Sequence, residues 1–134
     1  MLKADIRHYF DTVDHYVLLQ ILRRRIRNEN VISLIRLILE NHKACIKGNG
    51  MPVGNLTSQV FANVYPNELD NFVKHGLRAK YYIRYVDDFV VLHHDKSVLE
   101  IWKAEISSFL RHELRIELRQ EKSRIIPLSS RVEE

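Results

Sequence analysis

Apolar and polar positions change period several times along the chain, and each change marks an expected element. Leu2 to Ile6 is a short strand candidate opening almost at the first residue. Asp14 is well placed as an N-cap, and Val17, Leu18, Ile21, Leu22 and Ile26 then recur at helical spacing. Asn28-Glu29-Asn30 interrupts the pattern, and a second helix is expected from about Val31 to Asn41. His42 to Asn55 reads as a long connection, because Gly48, Gly50 and Gly54 gather there with Pro52. Thr57 or Ser58 is placed to cap a third helix carrying Val60, Phe61, Val64, Leu69, Phe72 and Val73. Pro66 falls inside that helix. It removes the hydrogen bond to Ala62 and crowds that carbonyl, at a cost of about 3 kcal/mol in a regular helix. A kink or break is therefore expected near Tyr65.

From Lys80 to Leu92 two β-branched, aromatic and aliphatic runs flank the adjacent carboxylates Asp87 and Asp88. Such runs read as strands joined by a tight hairpin. An ordinary Asp-containing turn explains the pair. The sharper alternative is a hairpin that presents paired carboxylates to divalent ions. Asp95 then caps a helix with Val98, Leu99, Trp102, Ile106, Phe109 and Leu110 on one side. Leu114, Ile116 and Leu118 alternate with charged residues as in a half-buried strand, Gln120 to Arg124 is a polar turn, and Ile125-Ile126 continues a final strand. His93 and His94 beside Asp95 are read as a strand end entering a helix cap rather than as a metal site.

With 134 residues the chain has room for one domain. Its 46% hydrophobic and 28% charged content is ordinary for a globular protein. No apolar run reaches the roughly 18–20 residues of a membrane span, and the N-terminus lacks the apolar core of a signal peptide. The single cysteine, Cys45, excludes an internal disulfide and argues against a cysteine-based zinc site. A cytoplasmic location is the simplest expectation. A net charge of +4 permits a polyanionic partner without demanding one. The densest basic cluster, Arg23 to Arg25 with Arg27, is read as a solvated helical face.

The element order is β-α-β-β-α-β, the split-βαβ or ferredoxin-like pattern, an α+β fold with an antiparallel sheet and helices on one face. In that topology the third strand lies between the first two. Asp5, ending strand one, then meets the hairpin carrying Asp87 and Asp88. Neighbouring strands lie about 4.8 Å apart, so the three carboxylates converge. They repel one another, and without a cation at least one should hold a raised pKa. An anionic, all-oxygen cluster suits Mg2+ or Mn2+, and two such ions about 3.5–4 Å apart serve in-line nucleotidyl transfer.

Several segments resemble the palm of reverse transcriptases. Tyr85-Val86-Asp87-Asp88 is similar to the family's Tyr-x-Asp-Asp box, and Asp5 to Asp11 followed by Asp14-His15 resembles its first palm motif. The resemblance implies that Asp5, Asp87 and Asp88 are catalytic and bind two metal ions, with the Ile6 carbonyl assisting one. It implies a nucleotide site at His8, Tyr9, Phe10, Val53, Gly54, Val86 and Lys122. Phe10 would be the bulky gate against a ribose 2′-hydroxyl, although a core aromatic is the plain alternative. Template and primer would meet Asn55, Ser58, Gln59 and Tyr85. Lys122, in a segment similar to the fourth palm motif, would approach the phosphates; a surface lysine at a turn is the alternative. Gly50 to Gln59 resembles the motif usually written Gln-Gly-x-x-x-Ser-Pro, with Val53 replacing Gln and Gln59 replacing Pro. Both departures are similar to reverse transcriptases of diversity-generating retroelements, which copy with errors. Losing the glutamine leaves a less hydrogen-bonded pocket that should discriminate less well. The implied partners are an RNA template, a DNA primer, deoxynucleoside triphosphates and a small basic accessory protein. Group II intron and retron enzymes are the alternative subgroup, and a non-catalytic nucleic-acid- or protein-binding remnant is a separate class.

The first palm motif opens the chain, and the usual primer-grip hairpin does not follow the last. Residues 1–134 are therefore expected to be a palm fragment lacking fingers and thumb, unable to extend a primer processively and prone to self-association through uncovered faces.

Overall fold

A computed structural model of the chain describes residues 1–41, 48–52 and 56–128. Four strands, β1 (Leu2–Asp5), β2 (Tyr81–Tyr85), β3 (Asp88–Leu92) and β4 (Arg124–Ile125), form one sheet in the order β2-β3-β1-β4. Every neighbouring pair is antiparallel, so β1 and β2 run parallel with β3 between them, as the split-βαβ order requires. The described chain also has six α-helices, α1 (Tyr9–Thr12), α2 (His15–Arg23), α3 (Glu29–Glu40), α4 (Leu56–Val64), α5 (Asn67–Asn71) and α6 (Lys96–Phe109), with π-helical turns following α5 (Phe72–Gly76) and α6. None is long and apolar enough to cross a membrane.

Strand alternation divides the sheet into two faces. Leu2 and Ala4 of β1 pair with Val91 and Phe89 of β3, and all four are buried in the core shared with the helices. Lys3 and Asp5 pair with Val90 and Asp88 on the opposite, open face, because directly paired residues share a face. On β2, the exposed Tyr81, Ile83 and Tyr85 belong to the open face. Tyr82 and Arg84 turn toward the helices.

Two of the helix starts follow the expected caps. The Asp14 carboxylate accepts from the Val17 amide at 3.0 Å, and that of Asp95 from the Ser97 amide at 2.8 Å. Asn28, read as an interruption, caps α3 by accepting from the Asn30 amide. Thr57 and Ser58 do not cap: α4 begins at Leu56, so both lie within it and Ser58 is buried. His93 accepts from the Asp95 amide at 3.0 Å, in keeping with a strand end entering a helix.

The break at Pro66 is present. Helix α4 ends at Val64, and Pro66 is the N-cap of the separate α5. Pro66 has no N–H for the Ala62 carbonyl, and the buried Tyr9 hydroxyl donates to that carbonyl instead, at 3.0 Å. The orphaned acceptor of one helix thus fixes the aromatic that opens another. Tyr65, at the break, donates its hydroxyl to the Leu114 carbonyl.

The stretch expected as a strand over Leu114 to Leu118 is a correction. Helix α6 runs on through a π-helical turn, Leu110–Leu114, and Arg115 ends it in the left-handed region at φ 54°. Ile106, Leu110 and Leu114 recur every four residues, so helical periodicity claims Leu114 before the strand alternation can begin. Ile116 and Leu118 are buried, and Leu118 bridges to Ile6. The fourth strand lies further on, where Arg124 and Ile125 pair with Lys3 and Leu2.

Candidate active site

Three acids meet at one end of the sheet. Asp5 ends β1 and pairs directly with Asp88, the first residue of β3. Asp88 thus belongs to the strand rather than to the turn, and the two-residue connection is Val86-Asp87. The Ile6 amide donates to the Asp87 carbonyl at 3.1 Å, which ties the turn to the end of β1. An antiparallel residue directs its N–H and C=O to the same side, so the Ile6 carbonyl also faces the hairpin.

The turn is strained. Val86 adopts φ 54°, and a β-branched residue in that region costs about 1–3 kcal/mol. His8, three residues beyond Asp5, is left-handed as well, at φ 44°. Among the described residues, two of the four non-glycine positive-φ positions therefore flank the acids.

Crowding shows in the electrostatics. Burial, and then the negative charges of Asp88 and Asp5, push the Asp87 carboxyl above its ordinary range, although its own backbone bond and Arg119 pull the other way. Oδ1 of Asp5 is buried and accepts no hydrogen bond from the described residues. Arg119 Nε stands 3.6 Å from that atom, an ion-pair distance but too long for a hydrogen bond. The Arg119 amide donates to the Asp5 carbonyl at 2.8 Å, fixing the cation beside the acid. The sequence reading missed Arg119, because it continues the alternation of charges after Leu114.

Among the described residues, no three His, Cys, Asp or Glu side chains close around an ion by themselves. The donor set nevertheless fits a hard divalent cation that keeps further ligands from elsewhere: it is anionic, all-oxygen, and includes an orphaned buried carboxylate oxygen.

The other expected site residues divide. Phe10 is partly buried, edge-on to Tyr9 with centroids 5.5 Å apart, and its carbonyl accepts from the Met51 amide at 2.6 Å. This bond, with Gly50 N–H to the Val13 carbonyl at 2.8 Å, lays residues 48–52 along the segment after β1. Tyr85 is 80% exposed at the hairpin end of the open face, and Gln59 is exposed on α4. Two expectations need correction. The Tyr9 side chain is 2% exposed and bonded to Ala62, so it packs the core instead of facing a nucleotide. Ser58, also 2% exposed, packs inside and does not present its side chain to a template. Lys122 lies in the turn that also carries Arg119, its amide donating to the Arg119 carbonyl at 3.1 Å. Val53, Gly54, Asn55 and Cys45 lie outside the described residues.

Fold and site together define a polymerase-type palm, with a split-βαβ sheet and acids gathered where the hairpin meets β1. The chain matches the family described as reverse transcriptase (RNA-dependent DNA polymerase) over residues 1–132, and it belongs to that family. Protein YkfC of Escherichia coli (strain K12) is 25% identical over 93% of this chain and 42% of its own length. Group II intron-encoded protein LtrA of Lactococcus lactis subsp. cremoris is 33% identical over 53% of this chain and 13% of its own length. A solved structure of apo telomerase from Candida tropicalis, truncated from its C-terminal domain, has a TM-score of 0.72 at 17% identity, covering 96% of this chain and 30% of that one. That likeness shows a shared fold. The chain spans less than half the length of these relatives.

Proposed function

We propose that this chain is the palm of an RNA-directed DNA polymerase that adds deoxynucleotides to a DNA primer on an RNA template. The convergence of Asp5, Asp87 and Asp88 carries the reading, because nothing in the packing of the sheet requires three acids there. Asp5, Asp87 and Asp88, with the Ile6 carbonyl, would hold Mg2+ or Mn2+. When bound, two such ions activate an attacking hydroxyl and neutralise a leaving pyrophosphate. The protein's own part is placement. The strained turn at Val86 and the Ile6–Asp87 bond fix two acids, and Arg119 offsets their charge until a cation arrives. Phe10, docked by Met51, would limit space beside a nucleotide sugar, and Lys122 would meet its phosphates.

Val53 and Gln59 favour the error-prone copying of diversity-generating retroelements, with a small basic accessory protein as partner. The similarity to an intron-encoded protein of Lactococcus lactis favours a group II intron type instead. Misincorporation opposite template adenines separates the two.

The test is single-turnover addition of one deoxynucleotide to a DNA primer on an RNA template, with Mg2+ or Mn2+ and high protein concentration. Metal-dependent addition that Asp88→Asn abolishes is expected. Intact metal binding with no addition would instead support a non-catalytic remnant. The 134-residue chain alone, which spans less than half the length of its relatives, is expected to make no long complementary DNA.

A further inference from the structure

The residues beneath the hairpin form a connected brace. Asp70, on α5, accepts from Arg84 twice, at 2.7 Å from Nε to Oδ1 and 2.8 Å from Nη2 to Oδ2. The Tyr82 hydroxyl donates to the same Oδ1 at 2.6 Å. The remaining arm of the guanidinium, Nη1, donates to the Val86 carbonyl at 2.9 Å. Arg84 is therefore held on one side by a two-pronged ion pair and grips, on the other, the residue whose backbone is strained.

We propose that Asp70 and Arg84 are positioning residues for the Asp87–Asp88 hairpin, with the ion pair aiming the guanidinium so that it holds the Val86 carbonyl and keeps the turn in its strained form. Three observations support this beyond a simple staple between α5 and β2. The third guanidinium bond leaves the ion pair and ends on the turn itself. The residue it grips, Val86, holds a φ of 54° that a β-branched side chain rarely adopts. Asp70 reaches the hairpin because Pro66 ends α4 and starts the separate α5 that carries it. Burial draws the Arg84 pKa down, but its bonds to Asp70 and that residue's charge outweigh this and leave it raised, so the grip is charged at any working pH. Lysine cannot replace it, since a single ammonium lacks the planar fork needed to hold Asp70 by two bonds and Val86 by a third.

The inference rests on the proposed metal site for its functional meaning, but its geometry is testable without metal. Hydrogen exchange of the Ile6 amide reads the bond to the Asp87 carbonyl. Mn2+ titration followed by electron paramagnetic resonance reads the acids. In Arg84→Lys we expect Ile6 protection to fall at least tenfold relative to core strand amides, and Mn2+ affinity to fall by a similar factor, in a chain that stays folded. Asp70→Asn, which keeps shape and removes the charge, should give the same pair of changes, and it decides the matter if Arg84→Lys does not fold. Unchanged Ile6 protection in a folded variant overturns the proposal. Lost protection with unchanged Mn2+ affinity overturns it too, because the brace would then be structural only. If the unsubstituted chain binds no Mn2+, the metal reading fails, and Ile6 exchange alone decides whether the brace holds the turn.

Discussion

Asp87 is the residue on which the account can be tested most simply by charge. Its carboxyl binds a proton more tightly in the folded chain than in the unfolded one, because burial and its acidic neighbours disfavour the charge. A raised folded pKa contributes stability that is present at low pH and lost as pH rises through the raised value. At neutral pH without divalent ions, ionised Asp87 therefore works against folding. Asp87→Asn is expected to raise the melting temperature at pH 7 by about 1–3 °C, a gain that vanishes below about pH 4. Calorimetry in chelator at both pH values checks it, and an equal gain at both would contradict the electrostatic cause. Arg119→Ala should move the Asp87 carboxyl further up, as seen by carbon-detected titration, because it removes the cation that pulls it down. The acids were legible in the sequence, since strand order alone brings Asp5 to the hairpin. Arg119 was not, because a charge in an alternating stretch gives no sign that the backbone will hold it beside Asp5.

Among the elements, the break between α4 and α5 shows how far a local rule reaches. Pro66 could be read as a helix breaker from sequence. The partner that its missing N–H leaves unserved could not, because Tyr9 lies far away along the chain and reads as a residue of the first palm motif. Tyr9→Phe should leave the buried Ala62 carbonyl without a donor and cost about 1–3 kcal/mol in urea unfolding. In a Pro66→Ala background residue 66 regains an N–H for that carbonyl. The same substitution at Tyr9 should then cost less, with a coupling of roughly 1 kcal/mol. Equal costs in both backgrounds would show that Tyr9 matters only as a packed ring. Leu114 gives the opposite lesson. It fits both a helical and a strand period, and only its packing beside Ile106 and Leu110 in the folded core decides for the helix.

At the scale of the whole molecule, the proposed chemistry lies at one end of a sheet whose other face packs against the helices. Leu2, Ala4, Phe89 and Val91 on that covered face are apolar and were predictable from alternation, whereas Arg84 and Tyr82 on β2 meet Asp70 there. The open face, with exposed Tyr81, Ile83 and Tyr85 beside Asp5 and Asp88, departs from the polar pattern expected of a solvent face. Binding of a divalent ion to the folded state alone should raise the melting temperature, by linkage, in proportion to the logarithm of ion concentration above the dissociation constant. The measurement that bears most directly on the central claim is Mn2+ binding to the folded chain, compared with Asp5→Asn, Asp87→Asn and Asp88→Asn. The account predicts saturable binding that each substitution weakens at least tenfold while the fold persists. Absence of binding, or binding indifferent to all three substitutions, would contradict it.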